Sequence, residues 1–438
     1  MSAARVRSVP KSPMARIFAN TAWLLGGKGF GALCGLGYLA ILTHSLGLKN
    51  FGHFSLIFGT AQALIAVAGF QTWRVVVRYG SEHVHNQDWD RFGRLGVLCG
   101  LFDALGAVCG CALSAIVIYG FGPALDLNPA YVDTAFAFNC AMVWALVSAP
   151  TGIVRALNRF DMAVYVEAVV PLGRLLAAVA IWWHGPTVGK FLFAWAAIDL
   201  IEAAAYWALA RRLAPQAVRV AHLRDWRLAL AENPGIRQFF LVTYASATLE
   251  AFTRNGPLLA VGALIGTRAA GLFRLASQLT QALSKLSSLL TRAVYAEVAS
   301  TRASSAAADF RKLVYQTSLV ATLAGAAVVA IAILAGKPLL DLIGGDDFER
   351  GAAILVPLAV AASFDLASVA FEPVLHSTGR ARFALLARLL GAAARVIAVL
   401  ALYRFGAAGV AWAVAVGGVV SYLGLGLAAW RSLRGGLG

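Results

Sequence analysis

Arg274, Gln278, Gln281, Lys285, Ser288 and Arg292 follow one another at steps of four, three, four, three and four in a segment otherwise rich in Leu and Ala. At 3.6 residues per turn this spacing draws one polar face about five turns long on a helix whose other faces are apolar. An ionisable side chain at membrane depth costs about 2.5–3.5 kcal/mol, so such a stripe faces a bundle interior or a wet cavity rather than lipid. Three cations on one face exceed what packing needs, and the chemistry they suit is holding an anion by charge-assisted hydrogen bonds. The plainer use of the same stripe is a polar seam satisfied by neighbouring helices.

Other residues compete for a role. Glu250 and Arg254 stand four apart, one turn before Pro257, and are placed to pair on one helix face beside a kink, either as a gate or as a fixed pair. Lys28 sits among Gly27, Gly31 and Gly35, whose spacing permits close helix approach. The run Gly27-Lys28-Gly29-Phe30-Gly31 lacks the strand and the GK[ST] of a Walker loop and is not a nucleotide site. Asp103, Glu167, Asp199, Glu202, Asp365 and Glu372 are acids inside apolar segments. Any of them is a candidate to carry a coupling proton or sodium ion, Asp103, Glu167 and Asp365 with Glu250 foremost. Glu167 with Arg174, and Arg395, also fit fixed structural pairs. Arg74 and Arg78 read as interface anchors, and His83-Val-His85 beside Glu82 and Asp88 reads as a solvated loop rather than a metal site. No nucleophile elbow, paired catalytic carboxylates or zincin helix is present, which argues against an enzyme, and no bound cofactor or metal is expected.

The elements that must position these residues are membrane spans. The chain is 60% hydrophobic and 13% charged, against about 25% charged in a soluble domain. Twelve apolar stretches of spanning length lie at about 17–42, 51–77, 95–120, 131–154, 163–184, 188–210, 236–262, 269–292, 313–335, 351–375, 383–403 and 407–430. Their length and Ala, Leu and Gly content exclude the dyad alternation of outer-membrane strands, so the predicted class is all-α and polytopic. The basic amino terminus precedes a run too long for a signal peptide and is read as flanking a retained first span. With both termini cytoplasmic, most loop Lys and Arg fall inside, and only Lys49, Lys190, Arg268, Lys337, Arg350 and Arg404 fall outside. The net charge of +16 is therefore topological and implies no nucleic acid. The five cysteines lie in predicted spans without CxxC spacing and read as packing residues.

The chain also repeats itself. Leu46-Gly47, Gly52 and Phe54 recur as Ile265-Gly266, Gly271 and Phe273, each 219 positions later in a chain of 438. Pro123-Ala-Leu-Asp-Leu127 recurs as Pro338-Leu-Leu-Asp-Leu342, and Arg174 through Gly185 aligns with Arg395 through Gly406. Six spans per half make this a parallel repeat, which predicts two six-helix lobes about an axis along the membrane normal with a path between them. The expected organisation is a basic tail over 1–16, lobes over 17–211 and 236–430, a cytoplasmic linker over 212–235 and a tail over 431–438. The linker stretch LRDWRLALAENPG has the pattern of an amphipathic surface helix. Gln62 is the repeat partner of Gln281, whereas Ala66 stands where the second half has Lys285, so the cationic lining is asymmetric.

Taken in order along nearly the whole chain, these segments resemble the polysaccharide and O-antigen flippases of the multidrug/oligosaccharidyl-lipid/polysaccharide exporter superfamily. The resemblance rests on Asn20-Thr-Ala-Trp23, Leu46-Gly47 to Phe51-Gly52-His-Phe-Ser-Leu56, Arg155-Ala-Leu-Asn-Arg-Phe160, Gly344-Gly-Asp-Asp-Phe348 with Ala352-Ala-Ile-Leu355, and Thr378-Gly-Arg380. It implies a central cationic cavity that opens alternately to the two sides of the inner membrane. It implies as substrate an undecaprenyl-diphosphate-linked oligosaccharide bound for O-antigen, capsule or exopolysaccharide, held by Lys28, Arg254, Arg274 and Lys285 with the glutamines 62, 278 and 281 beside them. It further implies a proton or sodium gradient as driving force, and membrane lipid and polysaccharide polymerase or assembly proteins as partners. The acid found beside the first-span lysine in the lipid II flippase branch is missing here. A multidrug exporter of the related MATE branch is the alternative, against which the basic stripe speaks. A membrane-embedded glycan polymerase is a third reading, disfavoured by the short outer loops.

Overall fold

The computed structural model describes residues 13–300, 307–377 and 380–434, with the side chains of 13–28 and 286–314 outside that description. Among the described residues every element is helical, with no strand. The α-helices are α1 (Pro13–Ala68), α2 (Thr72–Val75), α3 (Ser81–His85), α4 (Trp89–Ala115), α5 (Val132–Trp144), α6 (Ser148–Ala156), α7 (Phe160–Glu167), α8 (Val169–Trp183), α9 (Val188–Leu213) and α10 (Leu228–Glu232). The second half holds α11 (Ile236–Leu264), α12 (Thr267–Ser300), α13 (Ala307–Gly344), α14 (Ala352–Ala367), α15 (Phe371–Ser377), α16 (Ala381–Leu402) and α17 (Gly406–Arg434).

Among the described residues eight stretches are long and apolar enough to cross a membrane, and they take in ten of the twelve stretches read from the sequence. The other two are α11 and α12, helices of 29 and 34 residues whose polar residues, Arg254 and Arg274 among them, lower their hydropathy. Unlike a soluble protein, the chain carries large apolar side chains on its outer surface as well as in its core. Leu334 and Trp183 are 82% and 80% exposed, as lipid-facing side chains are.

The duplication is visible in the backbone. Gly47 breaks α1 with φ 66°, and Gly266 joins α11 to α12 with φ 114°. Gly185 (φ 88°) and Gly406 (φ 73°) likewise occupy corresponding turns before the last helix of each half. These left-handed conformations are open to glycine at little cost, so the repeat preserves the turns as well as the apolar runs.

The largest apolar core lies between the halves rather than within either. Phe51, Phe54, Leu56 and Ile57 of α1 pack with Leu258 and Val261 of α11, Phe273 and Leu275 of α12, and Phe348. At its centre Gly52 and Gly271, corresponding residues of the two repeats, face each other. A Cβ on Gly271 would lie 3.0 Å from the Leu48 carbonyl oxygen and 3.3 Å from the Gly52 Cα, and one on Gly52 would collide with the Thr267 carbonyl. Leu48 and Thr267 are themselves repeat partners, so α1 and α12 cross as a twofold axis between them requires.

The linker is α-helical over only Leu228–Glu232 of the stretch read as an amphipathic surface helix. It folds into two 3-10 turns, Pro215–Val218 and Val220–Leu223, followed by α10. Its backbone is pressed against α4, where Gly93 and Gly96 leave room for the Gln216 and Ala217 carbonyls. Arg94 grips Glu232 with Nε (3.0 Å) and Nη2 (2.5 Å). His83, read as part of a solvated loop, is buried, and its Nε2 lies 2.9 Å from Asn233 Oδ1. Tertiary contact with the linker 150 residues away overrides the polar local sequence.

Candidate functional site

Phe58, on the part of α1 beyond the Gly47 break, organises the site. The Arg274 guanidinium lies 5.2 Å from its ring centroid and that of Arg174 lies 5.4 Å away, so one ring serves a cation from each half of the chain. Trp195 of α9 receives Arg174 as well, at 5.6 Å, and is packed edge-on by Tyr38 and Phe54. The wall is thus aromatic where the cations meet it, and its rings are held by the interlobe core.

The two arginines have different electrostatic settings. Arg174 Nη2 donates to both carboxylate oxygens of Asp199, at 2.8 and 2.9 Å. Arg274 makes no ion pair among the described residues. Tyr38, Arg254 and Arg174 lie within electrostatic range of it, and no carboxylate among the described residues does. It is steadied by Gln278, which, with its amide oxygen turned to face the guanidinium, accepts from Nη2 (2.8 Å) and Nε (3.3 Å). Arg254 crosses from α11 to donate to Gln281 Oε1 at 3.1 Å, and Gln281 Nε2 donates to Ser277 Oγ at 3.2 Å. The result is a cluster of excess positive charge with donors fixed on α12. Such a cluster suits an anion of more than one charge.

The structure brings together Arg254, Arg274, Gln278 and Gln281, and sets Gln62 one helical turn beyond Phe58. Lys285 continues the α12 stripe three turns further along and is exposed. The side chains of Lys28, Ser288 and Arg292 lie outside the described residues.

Several sequence pairings are corrected. No ion pair joins Glu250 to Arg254 among the described residues, because Arg254 leaves its own helix face for Gln281, and exposed Glu250 lies within electrostatic range of Arg388 instead. Glu167 does not pair with Arg174. It binds Arg155 (3.0 Å) and accepts from the Tyr206 hydroxyl (3.1 Å). Asp103, a coupling candidate, accepts from Thr72 Oγ1 (2.7 Å) and the Ala149 N–H (2.6 Å), stitching α2 and α6 to α4. Asp365 lies in range of Arg395 and Arg388, the latter paired with Glu372. Arg78 packs over Phe239 at 4.4 Å, which ties α11 to the end of the second predicted span.

Sequence reasoning missed Arg174, Asp199, Phe58 and Trp195 as one unit, although the Arg174/Arg395 repeat pointed at the first. Glu202 stands one turn after Asp199 on α9, in range of Asp199, Glu167 and Arg174, and makes no ion pair among the described residues. Sequence reasoning also missed a lock at the Gly47 end. There Asp126 Oδ2 accepts from the Thr267 hydroxyl (2.7 Å) and N–H (3.0 Å), and the hydroxyl also lies 2.8 Å from the Asp126 carbonyl. The Thr267 hydroxyl first, and then its N–H, hold the Asp126 carboxyl below the usual carboxylate range. Thr43 Oγ1 reaches the Ile343 carbonyl at 2.5 Å, and Phe51 packs on Phe348. All three contacts join the two halves at this end.

The arrangement is that of a two-lobed transporter fold. An inward-facing multidrug-resistance MATE transporter of the MOP superfamily superposes with a TM-score of 0.71 at 14% identity, over 92% of this chain and 96% of that one. The lipid II flippase MurJ in an inward closed conformation superposes with a TM-score of 0.68 at 12% identity, over 94% and 89%. The sequence narrows this class. Residues 17–295 match the family model described as polysaccharide biosynthesis protein, and the chain belongs to that family. It is 28% identical over 342 residues, 75% of this chain and 92% of the relative, to inner membrane protein YghQ of Escherichia coli (strain K12).

Proposed function

We propose that this protein is an inner-membrane flippase. On this reading it moves an undecaprenyl-diphosphate-linked oligosaccharide outward for surface polysaccharide assembly, by alternating access and without catalysing a covalent step. The observation that carries the reading is Arg274, a cation on α12 with cationic neighbours and no carboxylate partner among the described residues. Charge left unbalanced there is stabilised by a ligand that brings its own negative charge, and a diphosphate does so while its sugars use the amides of Gln278 and Gln281. A cation exporter would call for the opposite sign on this wall.

The driving ion has a place in the same reading. Asp103 and Glu167 are occupied in holding helices together, and of the remaining acids, Glu250, Asp365 and Glu202, we assign the exchangeable proton or sodium ion to Glu202 because it stands beside the Arg174–Asp199 pair. With the linker cytoplasmic, the closed Gly47 end is the outer one.

The test is transport. Arg274→Ala should lower export about 10- to 100-fold, the loss of one buried charged hydrogen-bonding group, with the protein still present in the membrane. Cells lacking the gene should retain lipid-linked repeat units on the cytoplasmic leaflet. Unchanged surface polysaccharide with no such intermediate would sink the assignment.

A further inference from the structure

A cavity of about 450 Å³ opens where the linker turns into α11. Trp226, Arg227 and Leu230 line it from the linker, and Ile236 and Arg237 line it from the start of α11. Its lining holds two arginines and no acid. Of the linker acids, Glu232 is held by Arg94, and neither it nor Asp225 lines the cavity.

Both arginines are exposed and unspent. Among the described residues neither forms an ion pair or donates a side-chain hydrogen bond. The Arg227 guanidinium lies 5.4 Å from the centroid of the Trp226 ring, a contact that leaves its N–H edges free to donate.

The turn that brings the two together is fixed. Asn233 also lines the cavity and is buried, with its Oδ1 2.9 Å from His83 Nε2 and its Nδ2 donating to the Ala229 carbonyl at 2.7 Å. Gly235 then reverses the chain with φ 80°, a conformation that glycine adopts at little cost. The backbone carrying Arg227 and Arg237 therefore needs no rearrangement to receive an anion. Two guanidinium forks with open edges suit phosphate, which each can bind through paired N–H groups.

The surroundings say which phosphate. Leu223 and Leu228 of the linker are exposed, the second of them next to Arg227 in the chain. Ile236 opens the membrane span read at 236–262, and Trp226 offers an amphipathic ring of the kind that settles at a membrane surface. A free phosphate has no use for the leucines, whereas a lipid joins a phosphate to hydrocarbon. We infer that this cavity seats the phosphate of an anionic phospholipid between Arg227 and Arg237, clipping the linker between the lobes to the bilayer surface. Such a site is independent of what the protein transports.

Any arginine near a membrane gains from anionic lipid, so the test must separate these two from the rest of the linker. The purified full-length protein is placed in phosphatidylcholine nanodiscs that contain phosphatidylglycerol with a diazirine near its glycerol. That probe should label the segment Trp226–Arg237 at a low mole fraction, and phosphatidylcholine with the same diazirine should not. Arg227→Gln and Arg237→Gln should each raise the half-saturating fraction about tenfold, the loss of one charged hydrogen-bonding partner. Arg219→Gln and Arg224→Gln alter exposed arginines of the same linker that do not line the cavity, and should shift it by less than about twofold. Equal shifts in all four variants would show diffuse linker charge and overturn the inference. Displacement of the probe by excess inorganic phosphate would make this a site for free phosphate and overturn it as well. The four side chains are exposed, so unaltered melting temperatures are expected. Should a variant not fold, the contrast between the two lipids on the unsubstituted chain decides, and equal labelling by both would sink the site.

Discussion

Arg174 and Arg395 occupy the same position in the two copies of the repeat and do different work. The first is neutralised by Asp199 and laid on Phe58 and Trp195, sharing the Phe58 ring with Arg274. The second donates to the Thr253 carbonyl, which Pro257 leaves without its helical N–H partner, at the wall of an apolar groove. Duplication supplied two equivalent arginines, and the neighbours gave each its role. Asp199 falls opposite glycine or valine in the second half, whose corresponding positions are Gly418 and Val420. Around Phe58 the first half thus contributes a carboxylate and rings, and the second contributes Arg274, which makes no ion pair among the described residues. On the flippase reading proposed above, the first wall would exchange an ion and the second would hold the anion.

The largest expected effect tests that contrast directly. Asp199→Ala strands the Arg174 charge among aromatic rings, and because both side chains of the pair are only 11% and 13% exposed, the loss should be about 3–5 kcal/mol. The purified protein should melt well below the parent. Arg395→Gln removes one charged bond to a carbonyl and should cost less, about 1.5–3 kcal/mol. Equal losses in the two would mean that the arginines are interchangeable scaffolding.

A smaller pair of effects concerns the crossing at the axis. Gly52→Ala and Gly271→Ala both push a methyl group against a backbone carbonyl of the other half. The collision at Thr267 is the harder one, since the Leu48 oxygen would sit at 3.0 Å and can recede by a few tenths of an ångström. Overpacking of this kind costs about 1–3 kcal/mol, with the Gly52 variant at the upper end. It is charged against the conformation closed at the Gly47 end. A thiol introduced by Thr43→Cys should therefore react faster in the Gly52 variant than in the Gly271 variant. The reverse order would show that the crossing does not close the path.

Much of this architecture was legible in the sequence because it is periodic. The α12 stripe reads off its steps of four and three, and the repeat reads off glycines that recur half a chain apart. Pairing was not legible. Arg174 meets Asp199 across 25 residues and Arg254 meets Gln281 across 27, so both bonds depend on how helices pack and not on spacing within one. The local rule that places Glu250 and Arg254 on one face is sound for an isolated helix, yet Arg254 found a better-placed acceptor on α12. The linker misled for the same reason. Its Leu and Arg pattern suits a surface helix, yet only Leu228–Glu232 of that stretch is α-helical, and Arg94 of α4 holds its last residue, Glu232.

The smallest effect separates the two copies of the Pro-x-Leu-Asp-Leu motif. Asp126 spans the halves through Thr267, and Asp341, its counterpart, lies beside Asp346 and Glu349 of its own half. The Thr267 bonds lower the Asp126 pKa, so their contribution to closure is full above the ordinary aspartate value of about 3.9 and is lost as pH falls through the depressed value. Closure of the Gly47 end should be flat from neutral pH down to about 5 and should weaken only below about 4. Asp126→Asn keeps an acceptor and removes the charge, so it should favour the open end by about threefold to tenfold, the worth of one modest hydrogen bond. Its opening should no longer respond to acid, whereas Asp341→Asn should leave both the position and the pH response unchanged. The reactivity of the thiol from Thr43→Cys, measured from pH 7 to pH 3.5 in each background, reports the outcome. A parent protein that stays closed throughout, or an Asp341 variant that opens, would show that closure of this end does not rest on the Asp126 bridge.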